Sequence, residues 1–176
     1  MSRKIIRQRA PRVRRRGEPP ADPYLEQLPP KQTARCTQCG ALYRNKRWQQ
    51  APPAPRRPAR TQPAALPVLC PACRKVNDRY ANGVVTIRWP KADGARHTIL
   101  NLIKNQEDWG RQINPLERVI SIQATDDALT VLTTNERLAQ RIGRALERAF
   151  HGKALYRWSR ENKLLRVEWA SEAAPE

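Results

Sequence analysis

Two short cysteine pairs, Cys36-Thr37-Gln38-Cys39 and Cys70-Pro71-Ala72-Cys73, constrain the fold of this chain more than any other feature. They hold all four of its cysteines. Each C-x2-C pair has the spacing of a knuckle whose backbone amides point at sulfur, and two knuckles make a tetrahedral thiolate cage. The 30 residues between Cys39 and Cys70 exceed the roughly 15 to 20 usual between such knuckles. The excess is a proline-rich insert, residues 51–67, with six prolines and the bases Arg56, Arg57 and Arg60. Proline at that density excludes a helix or a central strand, so the insert should leave the cysteine module as a stiff basic loop. The preferred reading is one structural zinc ion on Cys36, Cys39, Cys70 and Cys73, with no coordination position left for water or substrate. Two alternatives stay open. A thioredoxin-type redox pair needs its cysteines after a strand and opening a real helix, and an iron–sulfur cluster also takes four cysteines.

Charge identifies the class of partner. Lys and Arg number 34 against 16 Asp and Glu, a formal net charge of +18, and a chain so basic finds polyanions. Residues 1–35 hold ten bases and three acids, residues 36–80 nine and one, and residues 81–176 fifteen and twelve. The excess therefore lies in the first 80 residues. Arginine provides 26 of the 34 bases, and its guanidinium fork grips phosphate with two donors where an ammonium is a point charge. Nothing in the sequence approaches the ~20 apolar residues of a membrane span, and its start has no apolar run long enough for a signal peptide. A cytoplasmic protein is expected, without a membrane partner. Reducing conditions there favour metal ligands over disulfides.

The spacing of residues divides the chain into four parts. Residues 1–35 combine Arg3, Lys4, Arg7, Arg9, Arg12, Arg14, Arg15 and Arg16 with six prolines and lack apolar periodicity, which predicts an extended basic arm, disordered when free. Residues 36–82 form the four-cysteine zinc ribbon, with a hairpin over Leu42–Trp48 turning at Asn45-Lys46 and a brief helix over 74–81. Residues 83–170 read as strand, helix, strand, strand, helix, strand, strand, a small α+β domain with its helices on one sheet face. Residues 171–176 are a tail. The second helix is the clearest element: Leu138, Ile142, Ala145, Leu146 and Ala149 share one face, and Arg137, Arg141, Arg144 and Arg148 the other. Thr133 and Glu136 have the spacing of a capping box before it. Alternation puts Trp89, Trp158 and Trp169 in the core.

No enzyme signature emerges. His97 and His151, the only two histidines, lack a nucleophile or carboxylate at a familiar spacing and read as surface residues. No phosphate-cradling glycine loop or nucleophile elbow occurs, and Asp126-Asp127 reads as a hairpin turn. No small-molecule substrate or homo-oligomer is expected. The RNA-contact candidates are the arm bases named above, Arg56, Arg57 and Arg60 of the insert, and Arg44, Lys46, Arg47 and Trp48 of the hairpin. Trp48 and Tyr43 have base stacking as one reading and the module's own small core as the other.

The two knuckles, followed by Asp126-Asp127-Ala128-Leu129-Thr130-Val131 and the Leu138-to-Phe150 helix, resemble the large-ribosomal-subunit export adaptor family, the nonsense-mediated decay protein three family with its short bacterial-type relatives. The resemblance spans residues 36–169. It implies a zinc-bearing module and an α+β region seated on the intersubunit face of the large subunit, near the tRNA sites. This chain has one four-cysteine site and lacks the long C-terminal transport segments, so nuclear export is not implied. The expected function is a non-enzymatic, ribosome-associated, rRNA-binding factor acting in ribosome hibernation under stress or in large-subunit maturation. The alternatives are a zinc-ribbon DNA-binding regulator, which would lack any helix-turn-helix or C2H2 spacing, and a cysteine redox protein.

Overall fold

The computed structural model describes residues 22–24, 28–29, 32–51, 65–89, 94–125, 128–159 and 163–171. The basic arm through residue 21, most of the proline-rich insert, Asp126-Asp127 and residues 172–176 lie outside them. The described chain is mixed α+β, with three helices and two sheets.

The first sheet is built from three-residue strands. β1 (Ala34–Cys36), β2 (Leu42–Arg44), β3 (Arg47–Gln49) and β4 (Leu66–Val68) pair in the order β3-β2-β1-β4. The expected hairpin is β2–β3, and Asn45 and Lys46 at its tip both have positive φ, 52° and 62°. Two consecutive left-handed residues give a turn whose twist matches that of the flanking strands. β4 has no counterpart in the sequence reading, because Leu66-Pro67-Val68 is masked by the prolines before it. It pairs parallel to β1, setting Val68 beside Cys36, and so brings the second knuckle to the first across the insert.

Helix α1 (Pro71–Asn77) starts three residues earlier than the expected 74–81. Pro71 takes the first helical position, where its missing N–H costs nothing, and Cys70 becomes the N-cap, its sulfur accepting from the Cys73 amide. The helix stops at Asn77, and Arg79 follows with a φ of 53°.

The second sheet contains β5 (Gly83–Arg88), β6 (Val119–Ala124), β7 (Leu129–Thr133), β8 (Gly152–Trp158) and β9 (Leu165–Ser171), in the order β6-β7-β5-β9-β8. Helix α2 (Arg96–Ile113) joins β5 to β6, and α3 (Glu136–Ala149) joins β7 to β8. β7 lies between β5 and β6 and antiparallel to both, which makes this half a split β-α-β unit. Alternation sends Val85, Ile87, Leu129, Val131, Leu165, Val167 and Trp169 inward, all at most 2% exposed, against Ile99, Ile103, Leu138, Ile142 and Leu146. Both helices therefore cover the same sheet face. Gly143 sets how close α3 comes: a Cβ there would lie 2.8 Å from Val167 Cγ1 and 2.9 Å from Tyr156 Oη.

Two local readings are corrected. The N-cap of α3 is Asn135, whose side chain accepts from the Leu138 amide at 3.0 Å. Thr133 instead remains in β7, its hydroxyl turned to the Asn135 carbonyl at 2.8 Å, because β7 keeps its pairing with Gly83 to its last residue. Trp158 is 54% exposed rather than core. Among the described residues it ends an edge strand with a neighbour on one side, whereas Trp169 lies in β9 between two strands and is buried.

Lys75 of α1 joins the two halves. It is 4% exposed and donates to the Asp22 carboxylate, to Asn82 Oδ1 and, at 3.1 Å, to the Thr134 carbonyl. Its three ammonium protons thus meet three acceptors. Asp22 and Tyr24, placed in the arm by sequence, pack here: Tyr24 donates to Asp78 Oδ2 at 2.9 Å and its ring lies 5.0 Å from Tyr80.

Candidate metal centre

The four cysteines converge from three elements. Cys36 ends β1, Cys39 closes the turn before β2, Cys70 caps α1, and Cys73 lies in the first turn of that helix. The first knuckle folds back through Gly40 N–H to the Cys36 carbonyl (3.0 Å) and Cys36 N–H to the Ala41 carbonyl (2.8 Å). Gly40 has a φ of 75°, a left-handed conformation that favours glycine. All four Sγ atoms lie within 4.8 Å of one another. Cys36 and Cys73 are 3.7 Å apart, as are Cys39 and Cys70, and none forms a disulfide.

These distances fit a metal. Four sulfurs about 2.3 Å from a central ion stand ~3.8 Å apart at the edges of a tetrahedron, whereas a disulfide needs ~2.05 Å. Cys36, Cys70 and Cys73 are at most 1% exposed and Cys39 is half-buried. Backbone amides are aimed at sulfur, Cys70 N–H at Cys36 Sγ (3.3 Å) and Cys73 N–H at Cys70 Sγ (3.4 Å). Burial pushes the Cys36 thiol up, but the amides of Cys70, Cys39 and Gln38 outweigh it and hold it at about 6. Burial and then the charge of Cys39 push Cys70 and Cys73 up, Cys73 to about 11. Four thiolates packed this closely need a cation to coexist. The group is able to hold one metal ion, with every tetrahedral position filled by protein.

One further contact comes from the other sheet. Arg118, just before β6, donates from Nη1 to Cys73 Sγ at 3.1 Å. Its backbone is clamped by Thr134, whose hydroxyl accepts from Arg118 N–H at 2.9 Å and whose N–H donates to the Arg118 carbonyl at 2.9 Å. Leu116 packs against the cysteine cluster beside it. No sequence signal marked Arg118, which lies 45 residues beyond Cys73 in the nearly neutral half. A guanidinium on a ligating sulfur offsets thiolate charge and fixes its orientation, and such supporting contacts carry about 10- to 100-fold in metal affinity. Arg118→Ala should weaken metal binding by that factor, measured by competition with a chromophoric chelator. Unchanged affinity would reduce the contact to packing.

No family model, curated protein or solved structure matches this chain. Arg44, Lys46 and Arg47 are exposed on the β2–β3 hairpin, attached directly to the cysteine-bearing sheet. Trp48 is half-buried, its ring 5.5 Å from that of Tyr43, and packs on the cysteine cluster, while Tyr43 is 7% exposed. Arg3, Lys4, Arg7, Arg9, Arg12, Arg14, Arg15, Arg16, Arg56, Arg57 and Arg60 lie outside the described residues. His97 and His151 are both exposed. No helix among the described residues is long and apolar enough to cross a membrane.

Proposed function

We propose that this chain is a non-enzymatic, zinc-stabilised factor that binds rRNA on the ribosome, near the tRNA sites of the intersubunit face. There it acts in ribosome hibernation under stress or in large-subunit maturation. The observation that carries the reading is the closed four-sulfur cluster beneath an exposed basic hairpin. Zinc is the ion this ligand set suits, being at home with four thiolates in a tetrahedron. Bound there, it supplies folding energy and positive charge rather than a reactive water. The protein's own residues do the recognising: Arg44, Lys46 and Arg47 present guanidinium and ammonium groups to phosphate, and the arm and insert add most of the remaining basic charge of the first 80 residues. The ribosome as the particular polyanion is supported by the resemblance of the knuckle and helix motifs to the export adaptor family.

Sedimentation of cell extract tests this. At low salt the protein should comigrate with large subunits or whole ribosomes, and if about six arm arginines each neutralise a phosphate, affinity should fall roughly 10³-fold between 50 and 200 mM salt. Comigration with neither particle would remove the ribosome from the proposal.

A further inference from the structure

A second basic surface lies far in sequence from the cysteines. Helices α2 and α3 lean together on one sheet face, and their outer sides enclose an open groove of about 760 Å³. Arg137, Arg141, Arg144 and Arg148 form one wall, spaced at successive turns of α3, and Trp109 with Asn105 and Gln106 forms the other. No carboxylate appears among the described lining residues. Arg137 and Arg144 are exposed and make no ion pair among the described residues.

A merely solvated arginine face would not be anchored as this one is. Arg141 donates to Glu117 Oε2 at 2.7 Å, and Glu117 is 2% exposed. Placing a carboxylate there is costly unless its partner is held in good geometry. Gly110 makes the room: a Cβ at that position would lie 2.4 Å from Arg141 Nη1 and 2.7 Å from Glu117 Oε2. The Arg141 guanidinium is thereby fixed over the Trp109 ring, 4.4 Å from its centroid. Trp109 remains 52% exposed. An indole held in place by a stacked guanidinium, beside Arg137 and Arg144, which make no ion pair among the described residues, combines what single-stranded nucleic acid requires: a π surface for a base and donors for consecutive phosphates. The amides of Asn105 and Gln106 offer both donors and acceptors to base edges.

We propose that the α2–α3 groove binds single-stranded RNA, with a base stacked on Trp109 and phosphates on Arg137, Arg144 and Arg148. It extends the RNA-binding reading above to a surface that the cysteine-bearing sheet does not share. Arg141 acts as a positioning residue that holds the indole.

The test uses the full-length, zinc-loaded protein and a short oligouridylate carrying 4-thiouridine, with crosslinked peptides mapped by mass spectrometry. Crosslinks should fall within residues 105–109. Trp109→Ala should reduce them about tenfold, the scale of a lost base stack. Arg137→Glu with Arg144→Glu should flatten the log–log salt dependence of groove crosslinking by about 1.4, two phosphate contacts at ~0.7 each on a single strand. Both variants alter exposed side chains, and unchanged thermal melting verifies their fold. Crosslinks on residues 2–16 without any at 105–109 would overturn the groove alone and leave the ribosomal reading standing. Groove crosslinks in a protein that ignores ribosomes would do the reverse. Polyglutamate displacing the RNA at equal charge concentration would overturn the assignment in favour of an acidic peptide.

Discussion

Cys70→Ser should abolish stoichiometric metal binding and unfold the four-stranded sheet, leaving the five-stranded sheet with its core formed. The expectation follows from how little else holds the smaller half. Its strands are three residues long, and its fully buried cluster is Cys36, Ala41, Cys70, Ala72 and Cys73, three of them from the four-sulfur group. Sheets so short do not stand alone in water, and a core this small is rescued by a metal or by disulfides. A four-thiolate zinc site contributes on the order of 10–16 kcal/mol at neutral pH. Cys70 is the sharpest place to cut, because its sulfur also accepts from Cys73 N–H and its own amide donates to Cys36 Sγ. Metal content of the purified variant and amide exchange would read the outcome. Leu42 and Tyr43 should exchange rapidly, while Val85 and Val131 retain protection. Retained protection across Ala34–Gln49 in metal-free protein would show that packing, not metal, holds the sheet.

How far the sequence predicted this arrangement depended on the range of the signal. The order of elements from Gly83 was legible because each carries its own periodicity: alternation in Gly83–Arg88 and Leu129–Thr133, helical spacing from Leu138 to Leu146. The cysteine pairs announced their convergence for the same reason, since the knuckle is a local motif. What escaped depends on residues distant in sequence. β4 exists by virtue of pairing with β1 across some thirty residues. The N-cap shifted from Thr133 to Asn135 because β7 holds Thr133 in register with Gly83. Trp158 and Trp169 alternate alike, yet only the latter is flanked by strands on both sides. Arg118 at the metal site, and Gly110 beneath Arg141, have meaning only once the two halves of the fold are in contact.

That contact gives the second large effect. Lys75→Met should cost about 3–5 kcal/mol, the range for breaking a buried ion pair by removing one partner, and should split one unfolding transition into two. Methionine fills much of the same volume, so the loss is electrostatic rather than a cavity. It strands Asp22, which is 16% exposed, together with Asn82 Oδ1 and the Thr134 carbonyl, three acceptors satisfied by one ammonium. Thr134 is the shared point. Its carbonyl receives Lys75 while its hydroxyl and amide hold the Arg118 backbone, and the Arg118 side chain reaches Cys73. Loosening Lys75 therefore also loosens the guanidinium on the metal site, and a tenfold drop in metal affinity should accompany the split, within the range for supporting contacts of about 10- to 100-fold. Calorimetry with and without excess zinc separates the two consequences: zinc should raise the midpoint of the first transition and leave the second unmoved. A single transition with wild-type zinc affinity would mean that the two sheets cooperate through apolar contacts such as Leu116 on the cysteine cluster, with Lys75 a bystander.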